Sequence, residues 1–374
     1  MSSYHKSRGD ATQLVRGCEN PRERPDRIYV TSLFTWAWRP VWEAVRYYKE
    51  RFPDVEVWLG GIYASLLPDH AKLSGADYVH VGLYREAEDF MPDYDLVPEW
   101  DGSILFASRG CIRRCGFCAV PKIEGRLQPP KGSIKPFIHP RHTRIIFFDN
   151  NILAAPNWRE VFDEVIELCR ERKMKVDFNQ GLDARLVTDE VAEKIAQMRM
   201  DIVRMAYDYS GIRKWVERAI EILKAHGIKG RKMIFYVLYN YTDDPDDFFH
   251  RVRDLLNWGV VAYPMRYEPL NTLEKNRYVA PKWDEHRLEM VAKARRVIGY
   301  AGAFPPYEGL VKKFNRAEDF DQAFVLRPLM KEIHGLPKQG LKEMALEHEL
   351  TVRGRTQKPR WGGPLDWRAA LTGR

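Results

Sequence analysis

The chain has 374 residues, a formal net charge of +8, 45% hydrophobic and 12% aromatic residues, and a mean hydropathy of −0.47. That length allows two domains, or one large one with appendages, and no run of about eighteen apolar residues is present to span a membrane. Residues Met1 to Asp10 are polar where a signal peptide has its apolar middle, and five cysteines, three of them within eight residues, are no secreted disulfide framework; the expectation is a cytoplasmic globular protein.

Residues 28–33 (IYVTSL) predict a buried strand, followed by an apolar-periodic helix over about 40–52. Residues 55–61 (VEVWLGG) predict a second strand ending in Gly60-Gly61, a pair that permits a tight turn or close ligand approach. A helical stretch near Leu66–Leu73 and a short strand at Tyr78–Val81 complete an alternating βα pattern, hence a parallel sheet. The segment from Pro92 to Asp101, poor in apolar positions, marks a domain boundary.

Beyond it, strands are expected to start near Ile104, Arg144, Lys175, Ile202, Lys232 and Val260. Between them, Asn157 with Glu160 reads as a capping box ahead of the stripe Val161, Phe162, Val165, Ile166 and Cys169. Asp244-Pro245 reads as an N-cap with proline in the first turn, and a last helix is expected from Asp284 to about Gly299. The fold class expected is α/β: a partial (β/α)6 TIM-like barrel preceded by a truncated Rossmann-like βα domain, with ligands at the strands' C-terminal ends. The boundaries expected are 1–91, a linker at 92–102, the barrel at 103–299 and a C-terminal extension at 300–374.

The charge is concentrated. From Arg109 to Arg144 nine basic residues face one acid, Glu124, and the rest of the chain is balanced. Such a segment either attracts an anionic substrate, nucleic acid included, or offsets a thiolate-bound cluster. A second basic run, Arg353 to Arg374, contains Trp361 and Trp367 and reads as a loose tail or docking strap.

Inside the first basic segment lie Cys111, Cys115 and Cys118, spaced C-x3-C-x2-C directly after the first barrel strand. Three thiolates on a short loop can hold three corners of an iron–sulfur cubane and leave one iron open. The alternative is a zinc site completed by His139 and His142, whose intervals fit no common finger. Cys169 falls on an apolar helix face and Cys18 in a polar loop, so no second cluster is expected.

This motif, its place after the first strand of a six-unit βα series, and Phe117 before the last cysteine resemble the radical S-adenosylmethionine (SAM) superfamily. The resemblance, over roughly residues 28–298, implies a [4Fe-4S] cluster on Cys111, Cys115 and Cys118, with SAM on the open iron. It implies reductive cleavage of SAM to methionine and a 5′-deoxyadenosyl radical that takes hydrogen from a substrate, fed by an external reductant of the flavodoxin or ferredoxin type. It places Phe117 near the adenine. By strand position, Asp149, Asn150 and Asn151 are expected near the SAM amine, although the usual Gly-Gly-Glu is missing. Gln180, Arg185, Arg204 and Asp208 complete the expected cofactor contacts, Asp208 near the ribose, with Arg266 and Tyr267 closing the sixth strand. No catalytic residue beyond these is identified.

The N-terminal βα stretch resembles the cobalamin-binding domain that precedes some radical SAM barrels, with Ser32, Leu33, Gly60 and Gly61 at positions facing a corrin. It lacks Asp-x-His-x-x-Gly, since His5 and Gly9 are one residue too far apart, and its first strand is missing. Cobalamin-dependent methylation and cobalamin-free hydrogen abstraction therefore stay open. So does a zinc-stabilised nucleic-acid or protein-binding module. Reversal of Lys122, Arg126 and Lys131 to glutamate is expected to weaken binding of an anionic substrate and to leave SAM cleavage intact.

Overall fold

The computed structural model describes residues 1–299 and 307–325. The basic run from Arg353, the turn expected at His334–Gly340 and the helix expected near Leu341–Leu350 lie outside the described residues. Within them, helix α1 (Ser2–Ser7) is followed by β1 (Arg27–Ser32), α2 (Trp38–Arg51), β2 (Glu56–Gly60), α3 (Gly61–Leu66), α4 (Pro68–Lys72) and β3 (Tyr78–Val79). The three strands form a parallel sheet in the order β1-β2-β3. One face is built from Val57, Leu59 and the Val41, Ala44, Val45, Tyr48 stripe of α2, all buried, a spacing that keeps these helical side chains on one side. The other face carries Tyr29, Trp58 and Tyr78 in register across the three strands. The single helix expected near 66–73 is two short ones, because Pro68 begins a new helix after the turn at Leu67.

The segment expected as a linker is stitched to the barrel. Tyr94 is buried, its hydroxyl oxygen accepts the N–H of Ile104 at 2.6 Å, and its ring packs against His142. Then come β4 (Ser103–Leu105), α5 (Val120–Ile123), β5 (Arg144–Phe147), α6 (Trp158–Glu171), β6 (Lys175–Phe178), α7 (Asp189–Gln197), β7 (Val203–Ala206), α8 (Arg213–Ala225), β8 (Met233–Tyr239), α9 (Pro245–Asn257), β9 (Val261–Arg266), α10 (Glu285–Ile298), α11 (Tyr307–Arg316) and α12 (Phe320–Phe324). This is the expected partial barrel, with one difference. Its six parallel strands pair as two sheets, β4-β5-β6 and β7-β8-β9.

Between β6 and β7 the ladder is interrupted. The N–H of Val176 to the Arg199 carbonyl (3.1 Å) and of Leu182 to the Arg204 carbonyl (2.7 Å) cross the gap, together with the ion pairs Asp177–Arg204 and Lys175–Asp201. Arg204 and Asp177 occupy inward positions that a closed apolar ladder would fill with aliphatics, so the two charges take over the pairing.

The barrel has one continuous core running from Leu105 to Phe324, in which the α6 stripe meets Phe147 and Phe178. Cys169 belongs to it. Asn157 caps α6 by position, yet its side-chain amide donates to the Lys131 carbonyl (2.8 Å) instead of closing a capping box. Asp244 caps α9 as expected, accepting the N–H of Asp247.

Arg251 of α9 is fully buried. Its guanidinium donates to Asp243 (2.7 Å), Asp247 (2.9 Å) and the carbonyls of Tyr207 (3.0 Å) and Leu238 (2.8 Å). It therefore ties the C-terminal ends of β7 and β8 to α9, where ligands gather in this class of fold. Arg251→Met is expected to cost about 3–5 kcal/mol, because Asp243 keeps a buried charge without its partner. Urea unfolding measures it; a loss below about 1 kcal/mol would show that the pair is replaceable.

Candidate active site

The chain leaves β4 through Phe106 and returns along residues 125–131, so the cysteine loop is a closed excursion at the strand's C-terminal end. Its base is laced by backbone bonds from Gln128 N–H to the Arg109 carbonyl and from Lys131 N–H to the Ala107 carbonyl, both 2.9 Å. Gly110 has φ +75, and a Cβ there would sit 2.1 Å from the Arg126 carbonyl oxygen. Only glycine fits that approach.

Three consecutive side chains at the end of β5 hold this loop. Asp149 is buried and accepts the N–H groups of Ala107 (2.9 Å) and Ser108 (2.6 Å) and the Ser108 hydroxyl (2.9 Å). Burial nevertheless pushes its carboxyl up to about 6. Asn150 donates to Glu124 Oε2 (2.9 Å), which also accepts the Gly110 N–H (2.8 Å). Asn151 points its amide NH2 at Cys111 Sγ (3.7 Å) and Asp183 (3.2 Å). The structure thus commits Asp149 and Asn150 to the loop itself. Asn151 keeps a buried Oδ1 that has no hydrogen-bond partner.

The three cysteines are half-buried on the loop. The Arg113 N–H points at Cys111 Sγ (3.3 Å), and a backbone hydrogen bond from Val120 favours the Cys118 thiolate while burial pushes that thiol up. N–H donors aimed at sulfur stabilise cluster-bound thiolates, so the donor set fits a thiolate cluster. Burial and the nearby Asp208 carboxylate push the Cys115 thiol up, and Arg185 opposes them. Among the described residues, no three His, Cys, Asp or Glu side chains gather as a single metal ion would require. His139 and His142 lie at the other end of β4. His142 Nδ1 is 3.0 Å from Ser103 Oγ, which accepts the His139 N–H. They cannot complete a site with the cysteines.

Around the cysteines stand Asp183, Arg185 and Asp208. Asp183 is 7% exposed and accepts from Arg113 Nε (3.1 Å), Arg185 Nε (2.7 Å) and Asn151. Burial opposes its charge, but the Arg185 guanidinium holds its carboxyl below the ordinary value. Burial pushes Asp208 up to about 6 against the pull of Arg251 and Arg185. Phe117 meets Tyr241 edge to face at 5.8 Å, and a Cβ at Gly116 would lie 2.5 Å from the Tyr241 hydroxyl.

Asp183 and Tyr241 carry no mark in the sequence that singles them out. Asp183 sits two residues before Arg185, and Tyr241 lies just past the fifth barrel strand, whose end offers no motif. Conversely, Gln180 is exposed, and Arg204 is engaged inside the barrel with Asp177 and the Tyr236 hydroxyl. Neither joins the cysteine surroundings. Arg266 donates to the carbonyls of Asn276 and Tyr278, pinning the loop after β9.

At the N-terminal sheet, Ser32 and Gly61 form a parallel bridge at its C-terminal edge, and Leu33 is 65% exposed. Gly61 has φ +89, and a Cβ there would lie 2.5 Å from Thr31 Oγ1, so strand packing already demands glycine. A Cβ at Gly60 would meet only His80 Cβ, at 3.9 Å. His5 is 2.7 Å from Asp10 and 3.0 Å from the Tyr29 hydroxyl, both ring nitrogens engaged.

No family model matches the sequence. Two curated relatives do, both named ribosomal protein uS12 methylthiotransferase RimO. That of Chlorobaculum parvum is 38% identical over 76 residues, 20% of this chain and 15% of the relative. That of Flavobacterium psychrophilum is 30% identical over 101 residues, 27% of this chain and 19% of the relative. The match spans less than a fifth of either relative. Among solved structures, the radical SAM methyltransferase TsrM of Kitasatospora setae, with tryptophan substrate and a SAM analogue bound, superposes with a TM-score of 0.50. It is 12% identical, over 67% of this chain and 65% of that one. The chain shares the fold of that protein over this stretch.

Asp149 generates a test of the loop's anchorage. An acid whose folded value lies above its unfolded one holds more protons when folded. Its contribution is therefore complete below about pH 4 and falls by about 3 kcal/mol as the pH rises to about 6. Asp149→Asn is expected to be less stable by about 1–3 kcal/mol at low pH, where one acceptor is lost, with the gap narrowing as pH rises through that window. Urea unfolding at stepped pH measures it; parallel curves would remove Asp149 as the titrating group.

Proposed function

We propose that this chain is a radical SAM enzyme whose three-cysteine loop holds a [4Fe-4S] cluster and which binds SAM between the loop and the ends of β5, β6 and β7. The main support is the loop itself: three half-buried cysteines with backbone N–H groups aimed at two of the sulfurs, at the C-terminal end of the first barrel strand. When bound, the cluster supplies the electron that breaks the S–C bond of SAM. The chain's residues do the rest by position. The unpartnered Asn151 Oδ1 offers an acceptor to the SAM amine, Phe117 with Tyr241 borders the adenine, and Asp208 faces the ribose. Arg185, braced by Asp183, keeps positive charge beside the Cys115 thiolate. The barrel core excludes water from the reacting centre.

In this reading residues 1–91 are the cobalamin-binding-like unit, 92–102 the connection, 103–299 the barrel and 300–374 an extension. The partner is an external one-electron reductant. No helix among the described residues is long and apolar enough to cross a membrane, in keeping with a cytoplasmic protein.

A test is anaerobic reconstitution with iron and sulfide, then dithionite and SAM, with 5′-deoxyadenosine read by chromatography. Product is expected from the native chain and none from Cys111→Ala, Cys115→Ala or Cys118→Ala. Bound zinc without iron would sink the reading and favour the binding-module alternative.

A second reading, cobalamin-dependent methylation, is favoured by the open edge at Gly60. This edge lies beside the cysteine segment, since α3 packs against α5. Titration with hydroxocobalamin is expected to shift the corrin bands and to retain the corrin through gel filtration. Gly60→Phe, which fills free space without straining the backbone, is expected to abolish both. Retention unchanged by that substitution would reject this edge as the corrin site.

A further inference from the structure

The two limbs of the cysteine loop meet at a neck, and the N-terminal unit reaches that neck. Beyond β3 the chain makes a single 3-10 turn, Arg85–Ala87, and runs on to Met91. Helix α1 anchors this stretch from behind. The Tyr4 ring meets Tyr84 at 6.0 Å and Phe90 at 5.8 Å, both edge to face. The Ser3 hydroxyl donates to the Met91 carbonyl (2.6 Å), and Lys6 pairs with Asp93 (2.8 Å).

The front of the stretch grips both limbs of the neck. Glu88 accepts Nε (2.6 Å) and a terminal N–H (2.7 Å) of Arg109, a parallel fork two residues before Cys111. Arg109 lies on the outgoing limb. On the returning limb, Arg85 donates to the Gln128 side-chain carbonyl (2.6 Å). Lys131 donates to the Glu88 main-chain carbonyl and lies 3.6 Å from Asp89.

The hold continues inward. The Arg109 guanidinium lies 3.2 Å over the Phe106 ring and reaches Glu124 Oε1 (3.4 Å). The other oxygen of Glu124 accepts the Gly110 N–H (2.8 Å), so contacts run unbroken from Glu88 to the residue before the first cysteine. An exposed ion pair would add little here. This one is bidentate, its side chains are 20% and 15% exposed, and Glu88 and Glu124 hold the guanidinium between them.

We propose that residues 85–89 are a strap by which the N-terminal unit sets the position of the cysteine loop, with Glu88 as its positioning residue; the proposal rests on the reading that the loop holds a [4Fe-4S] cluster. The N-terminal unit is then part of the cluster site whether or not a corrin binds to it. Glu88→Gln keeps the shape of the fork but loses its charge, and Arg109→Lys keeps the charge but loses the fork.

The test compares these two variants with the native full chain and with Glu86→Gln, an exposed acid in the same turn. In the metal-free chain, trypsin cleavage after Arg113, Arg114, Lys122 and Arg126 is timed against cleavage after Lys214 on α8. Both strap variants are expected to speed cleavage inside the loop by at least about fivefold and to leave Lys214 unchanged, because only the loop opens more often. After anaerobic reconstitution and reduction, the electron paramagnetic resonance spectrum is titrated with SAM. Both variants are expected to need at least about fivefold more SAM for the half-shifted spectrum, at an iron content equal to native. Unchanged loop cleavage, an equal rise at Lys214, an unchanged SAM titration, or the same effects from Glu86→Gln would each overturn the strap. Faster loop cleavage in the variants, with no cluster signal from the native chain, would overturn the radical reading of the site instead.

Discussion

Three adjacent residues at the end of β5 clamp the cysteine loop, and the site depends on that hold. Asp149 fixes the start of the loop at Ala107 and Ser108, Asn150 fixes Glu124 and through it Gly110, and Asn151 reaches Cys111 itself. Three adjacent residues can do this because the chain beyond Phe147 leaves the strand and no longer alternates between faces. The loop they secure has only the four-residue helix α5 of its own. Its order comes from this clamp and from the glycine that allows the close approach at Arg126.

Charge is sorted by side. Inside, Asp183 collects Arg113, Arg185 and Asn151, so its buried charge has partners and its desolvation cost is offset locally. Arg251 does the same for the ends of β7 and β8. Arg114, Lys122 and Arg126 have no ion pair among the described residues and stay in water, where their field extends over about a Debye length. One segment thereby serves two purposes: half-buried arginines brace the site, and exposed ones present a surface.

Much of the fold is legible in the sequence because strands and helices carry their own periodicity. The α6 stripe, the Asp244-Pro245 start of α9 and the six βα units can be read directly. The cysteines are legible because their spacing is local. Other residues mislead for a common reason. Asp149 and Asn150 stand at strand ends where a cofactor contact is expected, but their partners are more than twenty residues away and show in no local pattern. Arg204 stands at a position expected to serve the site, although its pairing with Asp177 closes the gap between two sheets.

The sequence alone therefore determined the class of fold, the cysteine loop and its place after the first barrel strand, since each is written in spacing along the chain. Only the tertiary structure decided which of nine cations are free, that Asp183 is the hub and that Tyr241 stands over Gly116. Those facts depend on which distant side chains meet. A charge whose partner lies elsewhere in the fold looks identical, along the chain, to a charge with none.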